Sequence, residues 1–543
     1  MTSNKVNLGL DFGTTYSTGV VSVADGKVET VKILNNDLLP TVIYLRPDNT
    51  YQIAQAANSA YQFDLEKNQC NGWLYVDIKR WVGVNKYNFE KVCEKLKGRE
   101  YEVELVEDYQ VAIGGIGTLP SPKLKILSLI AMFVKALVYE IDEQYGLIVE
   151  NMVCTVPADY NSYKRTFISL ASQEVGVNTA GVVNEPTAAA LFSSMSSKST
   201  PTRSILVYDF GGGTFDVSLL VLFGKAAVVL DSAGDLFLGG RDIDMSVAKV
   251  LARELGDESK YKQLVSQSAA IKIDICEKSA EEHNVIFDNS LRTVKFSYND
   301  LCVVAAPYIQ RTIVILDEII ARNNLDLSGV EVVLVGGSSA LPLVRDMVSQ
   351  TKGVIRVLSD KSTQRIAVAA GAKLVADSVI ENKGLVLVDC LSHALVDEVE
   401  GFSSMVVIGK GQPVPIETSI NYTYGTGTMT IPVYEGEEII TFLNEPTYYS
   451  EIDLVNKNKV KLTYKVASDG QLTIKVDDVI VENKFLPKQS GRVSQYKYVN
   501  PLTEFKELGI KQYVNDLLDI NSKTATRTTL TIEELSDLAE HFN

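Results

Sequence analysis

Two stretches of this chain place an acid immediately before a glycine turn. The first is Asp11-Phe-Gly-Thr-Thr-Tyr16 and the second is Asp209-Phe-Gly-Gly-Gly-Thr-Phe-Asp216, each between apolar runs of strand spacing. Glycine has no Cβ and tolerates φ > 0, so Gly211, Gly212 and Gly213 can present backbone N–H groups to an anion at close range. The acid ahead of each turn suits a metal ion, and the Thr214 hydroxyl adds a donor. A single glycine triplet is most often just a bend in a hairpin; here the pattern recurs. Two phosphate hairpins, each with its own acid, predict a duplicated fold clamping a nucleotide between its halves. Neither copy is a P-loop. The dinucleotide fingerprint fails too, because a strand and not a helix follows Gly213.

Other candidates sit where elements must end. Glu185 lies between a strand, Ala180–Asn184, and a helix with proline in its first turn. Catalytic carboxylates and ordinary acids answering the helix dipole both occur at such junctions. Lys79 lies in the apolar-basic stretch Val76–Gly83, and its spacing favours a surface lysine lying over Trp81. Gly239 and Gly240 belong to a glycine turn opening a helix. The apolar strand Val330–Val335 delivers Gly336, Gly337 and Ser338, where backbone could pass close to a base or phosphate.

The elements positioning these residues follow in order. Residues 24–60 read as strands, with turns at Asp25-Gly26 and Pro47-Asp-Asn49, and residues 123–149 as one apolar helix. A strand over 150–156 stops at Pro157, and a helix over 162–172 closes at Gly176. Residues 245–282 read as helical, with further helices starting at Leu343 and Ala367. At Gly384 the character changes: an apolar run, Leu385–Asp389, precedes short alternating strands to about residue 500, a small antiparallel β domain. Helical spacing returns after Pro501, with a capping box at Thr531-Ile-Glu-Glu534.

At 543 residues the chain has room for several domains, and 46% hydrophobic with 22% charged residues is ordinary globular composition. A formal charge of −16 argues against direct nucleic-acid binding through a basic surface. Six cysteines without a Cys-x-x-Cys suggest the reduced thiols of a cytosolic protein, and three scattered histidines argue against a histidine metal site. Met1–Asn7 leads straight into a strand, so no secretory signal is expected. The longest apolar stretch, 126–134, is too short to span a bilayer, so no transmembrane segment is expected.

In order, Leu10-Asp-Phe-Gly-Thr-Thr15, Asp77-Ile-Lys-Arg80, Val156-Pro-Ala158, Asn184-Glu-Pro-Thr-Ala-Ala-Ala190, Asp209 to Asp216, Leu238-Gly-Gly240, Val335-Gly-Gly-Ser338 and Val433-Tyr-Glu-Gly-Glu437 resemble the seventy-kilodalton heat-shock chaperone family. The resemblance implies an α/β actin-like ATPase domain of duplicated ribonuclease H-like halves over 1–383 and an interdomain linker over 384–390. A small antiparallel β-sandwich over 391–500 would bind substrate or partner, and 501–543 would be a short helical remnant of a lid. ATP or ADP with Mg²⁺ would be bound. Asp11 and Asp209 would hold the metal mainly through water, and Gly13, Thr14, Thr15, Tyr16 and Gly211 to Thr214 would cradle phosphate. Gly239, Gly240, Gly336, Gly337 and Ser338 would complete the nucleotide site. Lys79 would stabilise charge on the γ-phosphate and the attacking water, against the surface position its spacing favours; Glu185 and Asp216 would orient water, and Thr214 would touch the γ-phosphate. Pro157, Arg165 and the run Leu385, Val386, Leu387, Val388, Asp389 would couple hydrolysis to the partner domain. On the residues alone, that run reads equally well as one more core strand.

Ala340 stands where the family stacks an arginine on adenine, Arg241 where an acid is usual, and Lys272 to Lys278 does not align cleanly with the adenine-clamping helix. Hydrolysis with looser or shifted base recognition is therefore expected. Residues 501–543 leave no room for a full lid, and His541-Phe-Asn543 lacks a co-chaperone signal. Intact phosphate motifs, a divergent base pocket and a reduced lid resemble the heat-shock-70 homologues of closteroviruses, filamentous plant viruses. That likeness implies a slow ATPase of the host cytoplasm, virion and plasmodesmata. Its partners would be viral coat and tail proteins, and its roles virion-tail assembly and cell-to-cell movement. The alternatives are a lid-poor cytoplasmic chaperone acting on client polypeptides with a J-domain partner, and a nucleotide-stabilised scaffold with little hydrolysis.

Overall fold

Alternation of apolar and polar residues makes Lys5–Asp11 and Tyr16–Ser22 an antiparallel pair, and Arg203–Phe210 and Phe215–Phe223 a second one. In a computed structural model, the described residues are 4–23, 27–66, 72–106, 110–117, 120–195, 202–223, 226–288, 290–359, 366–381, 386–399, 402–423, 427–454, 459–487 and 492–501. The chain divides after Lys497 into two compact units, of which the first carries both hairpins and the β-rich region.

Each hairpin starts a sheet of the same plan. In the first sheet the order is Asn178–Asn184, Ile148–Val156, Lys5–Asp11, Tyr16–Ser22, Val28–Thr30, with the first three strands parallel. In the second it is Val354–Leu358, Val330–Val335, Arg203–Phe210, Phe215–Phe223, Ala226–Asp235, again with the first three parallel. Parallel strands are covered on both faces, which is why Val330–Val335 is almost wholly apolar. Helices Glu185–Met195 and Ala367–Glu381 cross at small residues: a Cβ on Gly371 would collide with the Ala188 carbonyl, and one on Gly9 with Ala369 and Lys373.

The second sheet takes one more strand. Val386–Cys390 pairs parallel to Ala226–Asp235, in the register Ala226↔Val386 and Val228↔Val388, and antiparallel to Pro413–Val414. The run is thus a strand of the second sheet, lying between Ala226–Asp235 and the short strand Pro413–Val414, and the chain continues from it into the β-rich region. There, two four-stranded antiparallel sheets share a core that includes Leu395, Ile431, Val433, Tyr448, Leu462, Tyr464 and Ile474.

Three readings are corrected. Residues 54–66 form a helix and do not continue the strands, because alanines at 54, 56, 57 and 60 favour helix and pack at helical spacing. The apolar helix is Ile126–Tyr145, stopped by Gly146 at φ 64°. Residues 245–282 are not one run: helix Gly240–Glu254, a 3₁₀ segment Glu258–Leu264 and helix Val265–Lys278 are followed by a strand from Glu282. Asp25-Gly26, Leu385 and the helix expected at Thr531 lie outside the described residues. Among the described residues no helix is long and apolar enough to cross a membrane.

Gly371→Ala is expected to lower stability by about 2–3 kcal/mol, because backbone at Ala188 cannot yield as a side chain would. Urea unfolding measures it.

Candidate functional site

The two hairpin turns meet. A Cβ on Gly212 would run into the Thr15 side chain, and one on Gly213 into Thr14. Gly239 lies against Gly212 and Gly213 just as closely, Gly336 against a carboxylate oxygen of Asp209, and Gly240 against the Ser338 hydroxyl. Backbone bonds fasten this cluster: Gly211 N–H donates to Thr214 O at 3.0 Å, Gly240 N–H to Gly211 O at 3.0 Å and Arg241 N–H to Gly212 O at 2.8 Å. Ser338 Oγ donates to Gly211 O at 2.8 Å. A Cβ on Gly13 would strike the Tyr16 carbonyl, whereas Gly337 faces open space. Side chains at most of these glycines would close the gap between the turns.

Beneath the turns lies a buried charge cluster. Lys79 Nζ sits 2.6 Å from Glu185 Oε1, and the two residues are 4% and 6% exposed. The surface position favoured by spacing is thus overturned. Asp77 starts a 3₁₀ turn, Ile78–Trp81, which points Lys79 inward while Trp81 is itself buried. Burial, then the Glu185 charge, push Asp11 up to about 7 against the pull of Lys79 and the Thr155 hydroxyl. Burial followed by Glu185 and Asp11 raises Asp209, and burial followed by Glu185 and Asp159 raises Asp216. Burial works against the Lys79 charge, but Glu185, Tyr160 and Asp11 hold it protonated. One lysine therefore faces the carboxyls of Asp11, Glu185, Asp209 and Asp216, an imbalance that a cation would relieve.

Those oxygens suit Mg²⁺. Neither oxygen of Asp216 has a hydrogen-bond partner of good geometry, although the Asp159 N–H is near enough to draw its pKa down. The Thr15 and Thr187 hydroxyls are likewise buried and unpartnered. Among the described residues no three His, Cys, Asp or Glu side chains are close enough to enclose a metal directly.

Two features escaped the sequence. Lys272 reaches 2.6 Å from Asp244 and donates to Gly240 O at 3.2 Å, beside the Ser338 hydroxyl. Arg241 pairs with Asp77 at 2.7 Å. The only local signal for either was a poor match to the family pattern.

The predicted coupling residues also come together. Arg165 donates to Asn184 Oδ1 at 2.5 Å, and Asn184 donates to Asp389 Oδ2 at 2.7 Å. Arg165 also bonds Tyr160 O at 2.9 Å, while Tyr160 N–H bonds Pro157 O at 3.1 Å. Leu387 and Val388 are half-buried. Helix Ser162–Glu174 meets the β-rich region through Lys164–Glu445 at 2.7 Å and Ser162 N–H to Glu435 at 3.0 Å.

The raised Asp11 carboxyl has a consequence for stability. A fold that favours the protonated acid is penalised fully above pH about 7 and not at all below the ordinary aspartate value of 3.8. Asp11→Asn should therefore stabilise the nucleotide-free, EDTA-treated protein by about 2–4 kcal/mol at pH 8, with the gain vanishing towards pH 4. Urea unfolding across that range is the check.

The model of the Hsp70 protein family matches residues 7–496. Movement protein Hsp70h of Grapevine leafroll-associated virus 3 is 34% identical over 532 residues, covering 97% of this chain and 95% of that protein. Movement protein Hsp70h of Lettuce infectious yellows virus is 30% identical over 550 residues, covering 98% and 96%. Chaperone protein HscA of Proteus mirabilis is 27% identical over 488 residues, covering 86% and 75%. Such membership implies an actin-like ATPase fold and binding of nucleotide with Mg²⁺ in general. The glycine turns, the buried charge cluster and the matched span lead to one conclusion: the chain belongs to the Hsp70 family and is similar to its closterovirus members.

Proposed function

We propose that this chain is a viral Hsp70-like ATPase that hydrolyses ATP and acts in virion-tail assembly and cell-to-cell movement. The observation that carries the chemistry is the meeting of two glycine turns above three buried carboxyls, the half-buried Asp11 and one buried lysine. Gly13 to Tyr16 and Gly211 to Thr214 cradle the phosphates from opposite sides, with Gly239, Gly240, Gly336, Gly337 and Ser338 towards the nucleoside. Lys79 Nζ steadies a γ-phosphate oxygen and the attacking water, Glu185 and Asp216 orient that water, and Thr214 Oγ1 donates to the γ-phosphate. Water attacks phosphorus in line as the bond to the ADP oxygen breaks, so positioning and charge do the catalysis. Asp11 and Asp209 would hold Mg²⁺ through water, and the ion would supply the positive charge that this acid-rich site lacks.

Residues 1–383 would form the nucleotide domain, 384–390 the linker and 391–500 the partner-binding β domain. Pro157, Arg165 and Leu385–Asp389 would carry the state of the cleft to that domain. Viral coat and tail proteins are the proposed partners, in host cytoplasm, virions and plasmodesmata; support comes from the movement-protein names of the viral relatives. A chaperone cycle on client polypeptides is the second reading, supported by the likeness to HscA.

Asp209→Ala and Lys79→Ala are each expected to cut ATP turnover by about 100-fold or more. Tight ATP binding by wild type without turnover would instead make the protein a nucleotide-stabilised scaffold. Virus carrying Lys79→Ala should fail to move between cells; unimpaired movement would separate that role from hydrolysis.

The contact with the β-rich region has its own pH signature. His393 Nε2 lies 2.5 Å from Asp159 and its Nδ1 3.4 Å from Glu437. Burial opposes its charge, but those two carboxylates push its pKa up to about 10. Glu435, Glu445, Lys164, Arg165 and Lys410 surround the trio. A raised histidine contributes fully below its unfolded pKa and loses the contribution as pH climbs through the folded value. His393→Gln should thus cost about 1–2 kcal/mol at pH 6, with the difference from wild type shrinking as pH rises from 6.5 and gone above pH about 10. Urea unfolding of both proteins at several pH values tests this.

A further inference from the structure

We infer that Arg241 and Asp77 are positioning residues that lock the Lys79 turn to the second glycine turn across the cleft. The inference rests on reading the cleft as an ATP-hydrolysis site. Arg241 Nη1 lies 2.7 Å from Asp77 Oδ1, with the arginine side chain 32% and the aspartate side chain 7% exposed. The arginine is tied at its other end: its backbone N–H donates to Gly212 O at 2.8 Å. Asp77 is the residue before the 3₁₀ turn carrying Lys79, and its carbonyl accepts from Arg80 N–H at 2.9 Å. One residue, through its backbone N–H and its side chain, thus joins the backbone of Gly212 to the base of the lysine turn.

Both partners break local rules. Arg241 is a cation in the first turn of helix Gly240–Glu254, where the helix dipole favours an acid. Asp77 holds a left-handed conformation at φ 58°, which a non-glycine residue adopts at a cost. Two unfavourable local choices meeting in one ion pair across two sheets mark a contact selected for its position. A second pair of opposite polarity runs beside it, Arg80 Nη2 to Asp242 Oδ2 at 4.0 Å, and Asp242 also accepts from Gly239 N–H at 2.8 Å. From Asp77 the network continues to the Tyr101 hydroxyl at 3.1 Å, which accepts from Trp81 Nε1 at 2.9 Å. Trp81 is therefore a reporter built into the turn.

The test compares Arg241→Ala, Asp77→Asn, their double variant and Arg241→Lys in the full chain. Asparagine tolerates the left-handed backbone and can still accept from Tyr101, so Asp77→Asn probes the charge without forcing the turn to unfold. Each single change should lower kcat fivefold or more with KM for ATP within twofold. The double variant should be no worse than the weaker single variant, and Arg241→Lys should regain at least half of wild-type kcat. An unchanged kcat, or losses that multiply in the double variant, would overturn the inference. Should wild type prove unable to hydrolyse ATP, the proposed function falls but Trp81 still decides this point. In a Trp73→Phe background, acrylamide quenching of nucleotide-free protein should rise at least twofold with Arg241→Ala and with Asp77→Asn. Equal quenching in all variants would refute it.

Discussion

The Lys79–Glu185 ion pair, 2.6 Å apart and nearly sealed from solvent, is the contact on which the cleft depends. Removing a lysine and a carboxylate from water is costly, and a single pair seldom recovers the whole cost. Here the cost is larger, because Asp11, Asp209 and Asp216 crowd in without cations of their own. A fold arranged for its own stability would not gather these groups. The arrangement makes sense as a site that is completed by what it binds, at the expense of the empty protein.

Steric room above that cluster is set by absent side chains. Gly212, Gly213 and Gly239 stand so close to Thr15, Thr14 and one another that the turns could not approach with any larger residue. The sheets below hold this geometry rigidly, since the strands bearing Asp11 and Asp209 are flanked on both sides by other strands. Glycine thus supplies access, and the buried sheets supply the precision.

From the cleft a short polar path leads to the β-rich region. Asp159 presents its N–H towards Asp216 and its carboxylate to His393, while Arg165 and Asn184 join Tyr160 to Asp389 on the strand Val386–Cys390. Helix Ser162–Glu174 contributes its buried N-terminal amides, to which Glu435 is an apt partner.

Much of this was legible in the residues. The two glycine turns, their leading acids, the strand-to-helix junction at Glu185 and the alternating strands beyond Gly384 depend on local rules of backbone freedom and periodicity, which a sequence states directly. Lys79 was misplaced by those same rules, because an amphipathic lysine beside Trp81 looks the same whether its ammonium faces water or a buried carboxylate 106 positions away. The helix at 54–66 was missed because alanine-rich stretches carry little hydrophobic period to read. Lys272, the Asp77–Arg241 pair and the trio at His393 join residues far apart in the chain. Such pairings are decided by how two sheets pack across a cleft, and packing is a property of the tertiary fold that no single segment encodes.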